Sequence, residues 1–357
     1  MYASIAGLRT HMQKLSVIGN NVANVNTEGY KKQRTVFRDS VYSMYTSGSN
    51  GTEVIGGINP SQIGYGSRVG SIDLNMSSSS YNPGSPMDCA LTGDGFFLVG
   101  DKEVAKSIDG TDPNSLKSLT LTRVGDFQFK ADGYLCDGNG NPVYGFLVTG
   151  MEDGKPVVSD QLVPIRKPRW EKVPTTKIEE DDDGNEIAVP DYKYEIRYPT
   201  DIVDQGENAG DTVVKGPLTD TVKPQDKSNR VDASTGEATD DESKMKDLDL
   251  AEFSSISIDK GSGAITGYSR EGNEPVIIGY LAIGSVSNPN GVTHVGDSYY
   301  QCQEGAGDLR VCMLGGKQKE LGITNVNSYM CQALNEDGTP AEDGKPVYPA
   351  GTAILGT

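Results

Sequence analysis

Val17-Ile18-Gly19-Asn20-Asn21-Val22-Ala23-Asn24-Val25-Asn26-Thr27-Glu28-Gly29-Tyr30-Lys31, with Ser4-Ile5-Ala6-Gly7-Leu8 ahead of it, decides how the whole chain is read. Ile5, Leu8, Met12, Leu15 and Val22 recur at three- and four-residue steps, and small Gly19 takes the remaining seam position. The spacing predicts a helix with one narrow apolar stripe, about three heptads long. Arg9, Gln13, Lys14 and Ser16 fall on the opposite side, as on an exposed or partner-facing surface. A helix this short and narrow is not stable alone, so it must pack on something: this protein's own core or a partner. Gly and Asn tolerate left-handed backbone, and Asn amides cap backbone groups freed where a helix frays. Gly19 to Tyr30 therefore reads as a helix end turning into extended chain.

Outward from this segment, residues 31–68 read as an extended connector: Lys31 to Phe37 is basic with apolar Val36 and Phe37, and 43–70 is rich in Gly, Ser and Asn. From residue 69 the texture changes to short apolar or alternating runs separated by turn chemistry. Phe96-Phe97-Leu98-Val99, Leu119-Thr120-Leu121-Thr122, Phe127-Gln128-Phe129, Tyr134-Leu135 and Val143 to Val148 are bounded by Gly-Asp, Asp-Gly and Asn-Gly pairs, which predicts a β-meander. Residues 151–254 differ. They hold Glu179-Glu180-Asp181-Asp182-Asp183-Gly184, a Lys/Asp/Ser-rich tract at 223–247 and isolated strand-like runs such as Tyr192 to Tyr198, and read as an inserted acidic β-rich domain with loose loops. The β texture resumes at Phe253–Ile258, Ala264–Tyr268, Pro275–Ile283, Tyr299–Cys302 and Leu309–Leu314. The expected fold is mainly β: an N-terminal helix (1–30), a connector (31–68), a discontinuous β domain (69–150 and 255–350), and the insert between its halves.

Composition agrees with that outline and excludes several functions. A chain of 357 residues has room for about two or three domains, at roughly 100–200 residues each. Forty-four glycines against one Trp and seven Phe favour many turns over a helix-rich body. A net charge of −18 leaves no basic surface for phosphate backbones, so nucleic acid is not an expected partner. No run of 18 or more apolar residues is present, so membrane insertion by a helix is not expected either. His11, Gln13 and Lys14 interrupt any secretory h-region. Cys89, Cys136, Cys302, Cys312 and Cys331 form no C-x-x-C pair and are odd in number, which points to buried thiols, with a Cys302–Cys312 pairing across a hairpin as the alternative.

The Asn20-Asn21-Val22-Ala23-Asn24-Val25-Asn26-Thr27-Glu28-Gly29-Tyr30-Lys31 string resembles the N-terminal signature of the bacterial flagellar rod/hook family, with Asn20, Asn21, Asn24, Asn26, Thr27, Gly29 and Tyr30 as its signature positions. Gln62-Ile63-Gly64-Tyr65-Gly66, Leu91 to Val99, Thr122 to Phe127, Asp132 to Leu135, Ile256 to Asp259, Gly263 to Gly267, Gly279 to Ala282 and Asn288 to Val292 are similar to hook members of that family. The acidic insert matches no motif of it. The resemblance implies that Ile5, Leu8, Met12, Leu15 and Val22 are subunit-assembly contacts in a self-assembling structural subunit of the hook, the tubular flexible joint between rod and filament. It also implies type III export without a cleaved signal, a place in the flagellum outside the cell, and rod, hook-filament junction and hook-cap proteins as neighbours. A rod protein is the alternative within the family. A secreted β-rich adhesin or glycan-binding module is the alternative outside it, and leaves the Asn-rich string unexplained. Family members follow the last β segment with a helical tail. This chain stops at Ala350 to Thr357, about where that helix is expected to begin, so the tail is expected to be missing and the chain to be a fragment or a truncated product.

Catalysis has little to stand on. His11 is on the helix and His294 in a loop after Asn290-Gly291, and no G-x-S-x-G or Cys–His arrangement is present. No catalytic, cofactor or metal site is expected. Asp137-Gly138-Asn139-Gly140-Asn141 begins like an EF-hand loop but has Pro142 where the sharp-turn glycine belongs, which makes it a β-turn. Asp181 to Glu186 reads as a solvated loop, and Trp170 as junction packing.

Overall fold

The fold was obtained as a computed structural model. It describes residues 2–313 apart from 54, 77–83, 93–94, 102–107, 109–112, 153–154, 160, 181–185, 200, 205–213, 219–221, 242 and 270–274, together with 354–356. The chain divides into two compact units, Met1–Ser77 and Ser78–Thr357.

The first unit is a helix on a β ribbon. α1 spans Tyr2–Ala23. The segment expected as a plain connector is instead a paired ribbon of four strands: β1 (Gln33–Asp39), β2 (Tyr42–Thr46), β3 (Ser61–Gly64) and β4 (Ser67–Leu74). β1 pairs antiparallel with β4, from Gln33↔Leu74 to Asp39↔Ser67, with a bulge at Val36/Phe37. β2 pairs with β3, from Tyr42↔Gly64 to Thr46↔Ser61. Two backbone bonds carry the ladder across the junction, Ser40 N to Gly66 O at 2.8 Å and Tyr65 N to Val41 O at 3.1 Å. Residues 33–74 thus form one long hairpin, closed toward its tip by the Ser49–Ile58 bridge. Because β4 runs to Leu74, residues 69–74 belong to the ribbon rather than to the β domain expected from residue 69. The Gly/Ser-rich composition hid these strands: their partners lie up to about 40 positions apart, beyond the reach of any tight-turn rule.

The second unit is built on the strand Pro275–Val286. It pairs antiparallel with Tyr144–Glu152, Phe96–Val99, Ala264–Ser269 and Leu309–Met313, so strands from before and after the insert share one sheet. Phe97, Val99, Phe127, Leu135, Leu147, Ile265, Ile278 and Leu281 fill the core, with the Phe97 and Phe127 rings edge-to-face at 4.9 Å. Val163 and Ile165 are in the same core, and Lys155–Val158 pairs with Tyr144–Glu152. Residues 155–165, counted in the insert from composition, therefore belong to the main sheet.

Arg169–Glu180 and Glu186–Arg197 form a two-stranded hairpin of twelve paired positions, onto which residues 222–250 fold. That tract differs from the loose loops its composition suggested. Asp226, Asp232 and Asp241 each accept from the backbone N–H and hydroxyl of the serine two positions on, Ser228, Ser234 and Ser243. The repeated Asp-x-Ser pattern is turn chemistry, not disorder. Glu171 is wholly buried beneath the tract, paired with Arg197 Nε and accepting from Asp226 N at 2.7 Å. Of the expected solvated loop at 181–186, residues 181–185 fall outside the described residues and Glu186 opens the strand Glu186–Arg197; of residues 350–357, where a helical tail is expected to begin and to be missing, only the short strand Ile354–Gly356 is described.

Candidate functional site

The N-terminal helix is held to the ribbon by hydrogen bonds from two side chains, Thr10 and Asn21. Thr10, only 3% exposed, places its hydroxyl 2.7 Å from Ala6 O and 3.0 Å from Ser67 O, with one hydrogen to give to either carbonyl. Asn21 Nδ2 donates to Gln33 O at 2.8 Å, and Asn21 Oδ1 accepts from Gln33 N at 3.0 Å and from Tyr30 Oη at 2.9 Å. A side-chain amide thus stands in for a neighbouring β-strand at the first residue of β1. At the other end, Gly66 has φ +102° and lies so close to α1 that a Cβ there would sit 2.9 Å from Ala3 O.

The Asn-rich signature has separate tasks. Asn24 Nδ2 donates to Asn20 O and Oδ1, and Thr27 Oγ1 donates to Asn24 Oδ1 at 3.2 Å, a chain of side-chain bonds that ends the helix. Gly29 takes φ +68°, which lets the chain reverse into β1, and burial pushes the Tyr30 phenol up from its ordinary value. Asn26 is exposed. The Asn21–Gln33 clamp was not legible in the sequence, which suggested only capping; the signal was an Asn in the last turn of the helix, twelve residues before a strand.

The apolar stripe points away. Ile5, Leu8, Met12, Leu15 and Val22 are 43%, 67%, 69%, 66% and 66% exposed. At 3.6 residues per turn they centre roughly 180° round α1 from Ala6, Thr10, Val17 and Asn21. A surface helix of a globular protein ordinarily buries its apolar side and exposes its polar one. α1 instead leaves its apolar stripe open, with Arg9, Gln13, Lys14 and Ser16 exposed as well, and seats the mixed side of Ala6, Thr10, Val17 and Asn21, where Thr10 and Asn21 hydrogen-bond to the ribbon.

Elsewhere the flagged residues are structural. His294 lies in the strand Thr293–Gly296, not a loop, with its ring edge-on to Tyr300 at 5.0 Å, and His11 meets Phe37 edge-on at 5.4 Å. Asp137 Oδ1 accepts from the Asn139 and Asn141 N–H groups, and its Oδ2 accepts from Tyr299 Oη, which makes the loop an Asx turn. Trp170 is half-buried, edge-to-face with Tyr194 at 5.6 Å beside a 580 Å³ hollow. Cys89 and Cys302 are buried; burial, with Asp88 beside it, pushes the Cys89 thiol up to about 12, and Cys302 Sγ donates to Gly307 O at 3.2 Å. Among the described residues no three His, Cys, Asp or Glu converge as a metal site, and no helix is long and apolar enough to cross a membrane.

Fold and surface together define a mainly β protein that carries an N-terminal helix, fixed by hydrogen bonds from Thr10 and Asn21, with its apolar stripe open. Comparison with known proteins shows what such a chain is similar to. The family described as flagella basal body rod protein matches residues 1–31. The flagellar basal-body rod protein FlgG of Bacillus subtilis is 39% identical over 141 residues, covering 39% of this chain and 48% of the relative. The flagellar hook protein FlgE of Borreliella burgdorferi is 31% identical over 172 residues, covering 46% of this chain and 36% of the relative. The chain is similar in sequence to flagellar rod and hook proteins. It spans less than half the length of either relative. The crystal structure of the Helicobacter pylori hook protein FlgE2 aligns with 77% of this chain at 13% identity and a TM-score of 0.34.

Proposed function

We propose that the chain is a structural, non-enzymatic subunit of the flagellar hook, and that the Ile5–Leu8–Met12–Leu15–Val22 stripe packs against helices of neighbouring subunits in a tubular polymer. One observation carries this reading: α1 is tied to its own ribbon by Thr10 and Asn21 while the stripe stays open to solvent. An apolar heptad stripe is stable only when buried, and a second helix is the surface its spacing fits. Homopolymer contacts, neighbouring rod, junction and cap proteins, export through the type III apparatus and a place in the flagellum outside the cell follow from the same reading.

The rod is the second reading, favoured by the 39% identity to FlgG. The insert between the halves of the sheet is what supports the hook instead. Electron microscopy of the purified chain beside a variant lacking residues 1–30 tests both. Curved, flexible tubes from the intact chain alone support the hook, and straight stiff ones the rod. Identical tubes from both versions, or none from either under conditions that polymerise related hooks, contradict the role given to α1.

A further inference from the structure

The ribbon offers α1 an apolar surface that its stripe does not use. Phe37 on β1 faces α1, meeting His11 edge-on, with Lys14 Nζ 5.4 Å from its ring centroid. Hydrophobic burial is non-directional and grows with the area removed from water. A helix free to turn about its axis beside such a surface would roll until its stripe was covered. α1 keeps the stripe outward.

We propose that Asn21, assisted by Thr10, is a positioning residue that locks the rotation of α1 about its own axis and so keeps the stripe available to another subunit. This deepens the assembly reading and rests on it. The Asn21 amide is suited to the task because its bonds are directional and reciprocal. It gives one hydrogen bond to Gln33 O and takes one from Gln33 N, while Tyr30 Oη fills the remaining acceptor position on Oδ1. Rolling the helix would break all three at once and leave a half-buried backbone N–H and C=O on Gln33 without their partner. Asp lacks the donor, and Leu or Ala lacks both groups. Thr10 holds the middle of the helix to Ser67, about three turns from Asn21, so the two anchors together resist rotation along the whole seam. The start of α1 lies close against the ribbon, where a Cβ at position 66 would sit 2.9 Å from Ala3 O and 3.1 Å from Ala6 Cβ.

Peptide-resolved maleimide labelling of the soluble full chain tests the lock. Leu15→Cys reports the open face and Val17→Cys the seated one; each is made in the native background, with Asn21→Ala, and with Asn21→Ala plus Thr10→Val. In the native background Leu15→Cys labels several-fold faster than Val17→Cys. With the anchors removed, Leu15→Cys slows, Val17→Cys quickens, and their ratio falls toward one or below while helical circular dichroism persists. Asn21→Asp, which keeps the acceptor and loses the donor, gives an intermediate ratio. An unchanged ratio overturns the proposal. So do two rates that rise together, since that pattern means a detached helix and a purely stabilising role. If the ratio stays fixed while stripe substitutions still abolish polymers, the lock fails and the assembly reading stands; the opposite pair of results leaves the lock and removes the assembly reading.

Discussion

Replacing Leu8 and Leu15 together by serine tests the stripe with a magnitude taken from the structure. The two side chains are 67% and 66% exposed, so about two thirds of each remains to be buried by a partner. Full burial of a leucine stabilises by about 1.5–3 kcal/mol, and the outstanding fraction is then about 1–2 kcal/mol for each. The double variant loses about 2–4 kcal/mol per subunit on assembly. At about 1.4 kcal/mol per tenfold, its critical concentration for polymerisation rises about 30- to 700-fold. Folding of the soluble chain changes little, because exposed positions tolerate substitution within about 0.5 kcal/mol. The assay is sedimentation of polymer across a concentration series, with circular dichroism and thermal melts as the control on folding. A critical concentration within threefold of the unsubstituted chain, with folding intact, refutes the argument that this stripe is a subunit contact.

Gly66→Ala must adopt φ +102° and place a Cβ 2.9 Å from Ala3 O, so it destabilises the seat of α1 by about 1–3 kcal/mol and speeds limited proteolysis within residues 1–25. Glu171→Gln leaves the Arg197 guanidinium with Glu195 at 3.0 Å as its remaining carboxylate; because Arg197 is partly exposed, the loss is about 2–3 kcal/mol, below the 3–5 typical of a fully buried pair, and is read as faster hydrogen exchange in the 169–197 hairpin and the 222–250 tract. The carboxyls of Asp226, Asp232 and Asp241 are held below the ordinary value, first by the hydroxyls of Ser228, Ser234 and Ser243. A depressed folded-state value contributes stability above the unfolded-state value that is lost as pH falls through the folded one, so the 222–250 turns open only at acid pH. Ser→Ala at 228, 234 and 243 moves that opening to higher pH, as an NMR titration of the three carboxyls would show; unchanged titration midpoints count against the role given to the serines.

The strands of the β body were legible because they are short, apolar and fenced by turn residues. Phe96–Val99 and Phe253–Ile258 lie where periodicity and turn chemistry put them, and Pro275–Val286 runs three residues past its expected end at Ile283 because it changes partners along its length. The ribbon was not legible. Its strands are half polar, carry exposed Tyr42, Met44 and Tyr45, and find their partners across a long excursion that no local signal marks. The insert was legible as different and not as ordered: one composition serves a disordered acidic tract and a series of Asp-x-Ser turns equally well, and only the register of those turns on Glu171 and Lys172 separates them. At the candidate site, heptad spacing showed which residues form the stripe. The way it faces was hidden, because hydrogen bonds from Thr10 and Asn21 override the usual preference for seating the apolar side inward.

Met12 sits in the middle of the stripe, 69% exposed, and is its own probe. Peroxide oxidation of Met12 to the sulfoxide, followed by mass spectrometry in the soluble chain and in the assembled polymer, measures directly whether the stripe is covered on assembly. The account predicts rapid oxidation in the soluble chain and a tenfold or greater slowing in the polymer. Equal rates in the two states would contradict it.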